Sequence, residues 1–127
     1  YTESTKSTVE NWIDWSSLSD NQVSSYEKDK FKFITYLMPV TPESPSHLVK
    51  NNKISLRYIH GGSIQRIIDT ISSPLVSTSA NITGHTPLFK IKELRKVFQS
   101  TPIAKGRLGN KKRSSRIVDL ETMRTIR

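Results

Sequence analysis

The sequence of 127 residues predicts an α/β fold, and three stretches carry the prediction. Phe31 to Met38, FKFITYLM, is dense in aromatic and β-branched residues, the composition of a strand. Ile64, Ile67, Ile68 and Ile71 recur at i, i+3, i+4 and i+7, an amphipathic helix whose isoleucine stripe is expected to pack in the core. That helix lies between a strand expected over Ile54 to Ile59 and another over Pro74 to Thr78. Strand, helix, strand in that order argues for a right-handed crossover between parallel neighbours, with a loop at the carboxyl end of the second strand.

The remaining elements follow in chain order. Tyr1 to Lys6 has turn composition and is expected in a loop, and Thr8 to Trp15 reads as a short helix capped by Ser7 or Thr8, with Trp12 as a core anchor. Ser19 or Asp20 can cap a second helix that runs through Val23 and Tyr26 toward Asp29. Pro39, Pro42 and Pro45 end the Phe31 strand and impose an extended loop, and His47 to Asn52 leads out of it. In the strand at Ile54, the pair Ile54 and Leu56 faces one way and the pair Ser55 and Arg57 the other. Gly61 and Gly62 make a turn and Ser63 can cap the isoleucine helix. Ile91, Leu94, Val97 and Phe98 mark a further helix, roughly Lys90 to Phe98. Pro102 to Arg113 is basic and contains Gly106 and Gly109, so it reads as a segment that an anion would order. Arg116 to Leu120 and Met123 to Arg127 read as two short strands joined at Glu121 and Thr122.

Composition narrows the functional classes. The chain suits one domain, and a hydrophobic content of 34% with a mean hydropathy of −0.50 implies a thin core or a wide polar surface. The absence of cysteine rules out disulfides and thiolate metal sites. His47, His60 and His85 lack ligand spacing, so no metal centre is expected. No stretch has the length of a membrane span and no leader is evident, which reads as a cytoplasmic chain. The net charge of +9 is unevenly placed: residues 1–85 carry eight basic and eight acidic side chains, residues 86–127 carry twelve and three. That bias suits a polyanionic partner, either nucleotide phosphates or RNA, while a solvated helix surface accounts equally well for Lys90, Lys92, Arg95 and Lys96.

Chemistry concentrates in Pro74 to Gly84, PLVSTSANITG. An apolar run gives way to small polar residues whose hydroxyl and amide groups both donate and accept, and whose size lets a ligand approach the backbone. The same composition serves ordinary turns. Arg57, a charge in an apolar strand, is either an edge contact with solvent or a guanidinium fork offered to a carboxylate or phosphate.

PLVSTSANITG closely resembles the signature loop of the YrdC-like family, the threonylcarbamoyl-AMP synthases. Ile54-Ser55-Leu56-Arg57 is similar to the family's strand with a substrate-binding arginine, and Ser115-Arg116-Ile117-Val118-Asp119-Leu120 to its late Ser-x-x-x-Asp strand. The resemblance implies an open, twisted, mixed or parallel sheet flanked by helices, incomplete at its N-terminus. It implies synthesis of threonylcarbamoyl-AMP from L-threonine, bicarbonate and ATP with release of pyrophosphate, with magnesium, for threonylcarbamoyladenosine formation in tRNA. On matching positions, Arg57, Ser79 and Ser115 would hold threonine, and Asn81 and Arg127 would contact ATP. No protein nucleophile is implied. Partners would be structured RNA or tRNA and the complex that takes the product onward.

The chain departs from the family pattern in four places. The Pro-Thr-Glu-Thr-like strand and the Lys-x-Arg segment that grips phosphates have no counterpart, so the match covers about the last two-thirds of a family domain and part of the ATP site is lacking. Lys30-Phe31-Lys32-Phe33 replaces an aromatic-proline-glycine-proline turn, and Phe89 stands where a small polar residue is usual. A noncatalytic, double-stranded RNA-binding module or a degenerate paralogue is the alternative expectation.

Overall fold

The computed structural model describes residues 1–103 and 115–127, which fall into two compact units, residues 1–75 with 115–127 and residues 76–103. The first is α/β. It opens with a 3-10 turn, Glu3–Thr5, and α1, Lys6–Glu10, then α2, Asp20–Asp29, β1, Ile34–Pro39, β2, Val49–Lys50, and β3, Lys53–Leu56. After α3, Gly62–Ile71, the chain leaves this unit; in the second it forms α4, Ile91–Val97, and it re-enters the first for β4, Arg116–Asp119, and β5, Arg124–Thr125. Among the described residues five strands make one mixed sheet in the order β2-β3-β1-β4-β5, in which β1 and β4 are parallel and the other neighbours antiparallel.

Several elements form where local chemistry directs them. Ser19 caps α2: its hydroxyl accepts from the Gln22 amide while the Gln22 side chain accepts from the Ser19 amide, satisfying two donors reciprocally. Asn51 and Asn52 both take positive φ, 52° and 57°, and close a two-residue hairpin between β2 and β3. Alternation along β1 sends Ile34, Tyr36 and Met38 to a buried face beside Ile54, Leu56 and Val118, packed against Val9, Ile13, Leu18 and Tyr26. The opposite face, with Thr35, Lys53, Arg57 and Asp119, stays partly open to solvent.

Several sequence expectations need correction. The first helix is α1, ending at Glu10 before Trp12, and the expected N-terminal loop is a turn with Thr2 and Thr5 buried. The Phe31 strand begins only at Ile34, leaving Phe31 and Phe33 exposed. The Ile54 strand ends at Leu56, so Arg57 stands one residue past it. Pro74 to Thr78 forms no strand, so the expected crossover from the Ile54 strand to a parallel neighbour at Pro74 is not made; the parallel pair among the described residues is β1 and β4. Both edges of β3 are taken, by β2 and β1, which leaves it no edge for a parallel neighbour. The isoleucine stripe fails for a related reason. Only Ile68 is buried, at 1% exposure, whereas Ile64, Ile67 and Ile71 are 41–49% exposed. α3 is tied down through Asp69, which accepts from the Thr2 and Ser4 hydroxyls at 2.7 and 2.6 Å, and presents one row to the unit. Its cap position is Gly61, at φ 83°, and Ser63 makes no capping bond.

An ion-pair cluster spans the sheet. Lys53 on β3 reaches Asp119 on β4 at 2.6 Å and Glu121 at 2.7 Å. Burial pushes the Asp119 carboxyl up, but the Lys53 ammonium and the amides of Thr122 and Glu121 outweigh it and hold the group below its ordinary value. An acid with a depressed folded pKa stabilises the fold above its unfolded pKa and loses that contribution as pH falls through the folded one. Stability measured by urea midpoint should therefore drop as pH goes below about 3.8. The Asp119→Asn variant, already less stable at neutral pH, should show a shallower acid limb. Identical slopes for the two proteins would refute this.

Candidate functional site

The first unit brings three predicted site residues to one end of its sheet. β1 and β4 run parallel in the register Thr35 to Ile117, which sets Ser115 beside the start of β1. The Ser115 side chain is buried, at 8% exposure, and its hydroxyl lies 2.8 Å from that of Thr35. On the other side of β1, the antiparallel register pairs Tyr36 with Leu56. That ladder ends at Tyr36 and Leu56, and Thr35 and Arg57 are the next residues on each side of it.

Arg57 is half-buried, and its guanidinium lies 4.6 Å from the centroid of the Phe33 ring. Burial pushes its pKa down from the usual arginine value, although an arginine keeps its charge at any physiological pH. No carboxylate among the described residues pairs with it. A cation held by an aromatic face, whose N–H fork makes no hydrogen bond among the described residues, is arranged to take an anion.

Arg127 reaches the same end of the sheet from the edge strand. The Ile117 carbonyl accepts from Ile126 at 2.8 Å and from Arg127 at 3.5 Å, and the Ile117 amide donates to the Arg127 carbonyl at 2.7 Å. Two residues thus oppose one, a β-bulge that re-aims the strand end. The Arg127 side chain is exposed and forms no ion pair among the described residues.

Ser79 and Asn81 belong to the second unit. Gly84, at φ 86°, allows a tight turn in which the His85 amide donates to the Ile82 carbonyl at 2.9 Å. The Asn81 side-chain amide donates to the Ile82 and His85 carbonyls at 3.0 and 2.8 Å, and its Oδ1 is shielded and without a partner. Asn81 therefore builds its own loop. Ser79 is exposed, and its carbonyl accepts from the Asn81 amide at 3.0 Å. A cavity of about 100 Å³ in this unit is lined by Ile82, His85, Leu88 and Val97. α4 matches the helix expected near Lys90 to Phe98.

Thr35 and Phe33 escaped the sequence reading. Their signal was the alternation of FKFITYLM, which puts Phe33 and Thr35 on the face that Ser55 and Arg57 were expected to share. Most of the basic run from Pro102 to Arg113, including Gly106, Gly109, Lys111 and Lys112, lies outside the described residues. Among the described residues no group of three or more histidine, aspartate or glutamate side chains could hold a metal ion, and no helix is long and apolar enough to cross a membrane.

Comparison with known proteins adds an independent line. A family model described as telomere recombination, which takes in the YrdC proteins, matches residues 4–127. The chain is similar to the threonylcarbamoyl-AMP synthase of Buchnera aphidicola subsp. Acyrthosiphon pisum, at 32% identity over 117 residues, covering 87% of this chain and 67% of that protein. It is 37% identical over 90 residues to the synthase of Wigglesworthia glossinidia brevipalpis, with coverages of 70% and 46%. For that of Yersinia enterocolitica the identity is 30% over 118 residues, with coverages of 91% and 62%. The chain spans from about half to two-thirds of the length of these relatives.

Proposed function

The chain belongs to the YrdC-like family, and from that premise we propose that it is part of an L-threonylcarbamoyladenylate synthase serving tRNA modification. In the proposed reaction the threonine amine and bicarbonate give a carbamate and water, and a carbamate oxygen attacks the α-phosphorus of ATP and expels pyrophosphate. Both partners are anions that repel each other in water, so the protein's work is to neutralise and align them. Arg57 would take the threonine carboxylate on its free N–H groups. Ser79 and Ser115 would donate hydroxyl protons to the same substrate, and Asn81 and Arg127 would contact the nucleotide.

The observation that carries this reading is the half-buried Arg57 guanidinium, backed by Phe33 and facing no carboxylate among the described residues. The similarity to threonylcarbamoyl-AMP synthases favours a synthase over a noncatalytic RNA-binding module. Magnesium would enter with the triphosphate of ATP, and no step is assigned to it.

The test is pyrophosphate release by the full-length protein, measured with and without threonine and bicarbonate. Release should require both. Ser79→Ala should lower kcat/KM by roughly tenfold or more, the scale of a hydrogen bond to a charged group, and Asn81→Ala should lower it as far, since it removes both the Oδ1 acceptor and the two bonds that shape its loop. Threonine-independent release, or wild-type rates in both variants, would overturn the proposal.

A further inference from the structure

The hydroxyl pair between β1 and β4 assigns a task to a residue that neither the motif match nor the relatives single out. We infer that Thr35 is a positioning residue for threonine, acting through Ser115; the inference rests on the function proposed above. The two oxygens are 2.8 Å apart, and either could donate. Chemistry decides between the two arrangements once an anion binds. A hydroxyl carries one proton, and a serine that spends it on Thr35 can only accept from a ligand. Facing a carboxylate or carbamate oxygen, Ser115 must donate. Thr35 must then donate to Ser115, giving a chain from the Thr35 hydroxyl through the Ser115 hydroxyl to the substrate oxygen, in which each bond polarises the next.

The placement suits that task. Thr35 is β-branched and lies in the ladder of the central strand, so its side chain has few rotamers and a fixed origin. Ser115 precedes β4 and is buried, at 8% exposure, where an unrestrained hydroxyl would be costly. On the other side of β1, the ladder to β3 ends at the pair Tyr36 and Leu56, one residue short of Thr35 and of Arg57. Thr35 thus bonds one of the groups proposed to hold threonine and stands near the strand end that leads to another, on the central strand of the sheet.

Steady-state kinetics on the full-length protein tests this with Thr35→Val, Thr35→Ser, Ser115→Ala and the double variant Thr35→Val/Ser115→Ala. Valine keeps the shape and removes the hydroxyl, and should raise the KM for threonine about five- to tenfold, the scale of one hydrogen bond. The KM for ATP should stay within about twofold of wild type, serine should restore most of the loss, and the double variant should be no worse than Ser115→Ala alone. An unchanged threonine KM, an equal rise in ATP KM, failure of serine to rescue, or additive losses in the double variant would each overturn the inference. Calorimetric titration of the wild type with threonine separates the two levels of the argument. A wild-type protein that neither binds nor consumes threonine overturns the functional reading and this inference together, whereas a normal wild type with an unaffected valine variant overturns only the role of Thr35.

Discussion

Arg57→Ala is expected to lower kcat/KM for threonine by roughly a hundredfold or more in pyrophosphate release, the range for removing one partner of a hydrogen-bonded charge pair. The guanidinium pays its desolvation cost before the substrate arrives, as the downward push on its pKa indicates. With no carboxylate among the described residues to reward it, that cost is recovered only when an anion binds. Arg57→Lys should restore little. Lysine keeps the charge but has neither the planar face that lies 4.6 Å from the Phe33 ring centroid nor the fork that grips two oxygens at once. Phe33→Leu should fall between wild type and Arg57→Lys, since it loses the stack and keeps the fork. Measured as KM against kcat, the loss should sit mainly in threonine KM if Arg57 holds the substrate equally in ground and transition states. Arg57→Ala within threefold of wild type would refute the assignment.

How much of this was legible in the sequence depends on the range over which each signal acts. α2 was readable because its start is written in four adjacent residues, Ser19 to Gln22, and α4 because Ile91, Leu94 and Val97 keep one face. The hairpin of β4 and β5 and the faces of β3 were readable for the same reason: period and turn are local. The isoleucine stripe of α3 was a true amphipathic helix and a false guide to burial. Periodicity states that a face is fit to be covered, and nothing in ten residues states what surface covers it. The strand at Pro74 was misjudged because strand formation depends on a free neighbour, and the β2–β3 hairpin had already taken that edge. The Asn51-Asn52 turn was itself visible, as two residues tolerant of positive φ between Val49 and Ile54, and reading it would have shown that β3 was occupied. Within the candidate site, Arg57 and Ser115 could be found one at a time from motifs. Thr35 could not, because its place beside Ser115 is defined by the register of two strands.

The largest expected effect on stability falls on the other face of the same strand. Met38→Ala should destabilise the protein by about 3 kcal/mol, within the 2–5 kcal/mol usual for such truncations. Met38 is fully buried, sits on the central strand and pairs across β1 and β3 with Ile54, itself 2% exposed. Neighbours on both flanking strands and the helices beneath cannot all close around the cavity without breaking ladder bonds, so relaxation recovers little. Domains of this size hold only about 5–15 kcal/mol in total, and with an apolar fraction of 34% there is little surplus core to compensate. Met38→Leu, which keeps the volume, should cost less than about 1.5 kcal/mol. The urea midpoint should fall in Met38→Ala with the slope unchanged, since the surface exposed on unfolding is the same. Alternation then separates stability from substrate binding along one strand. Met38→Ala should shift the midpoint and leave the threonine KM of the folded fraction near wild type, while Thr35→Val, three residues away and facing the other side, should raise the threonine KM and shift the midpoint less, by the cost of an unpaired Ser115 hydroxyl. A Met38→Ala protein within 1 kcal/mol of wild type, or one whose threonine KM rises as far as that of Thr35→Val, would show that the two faces are not independent.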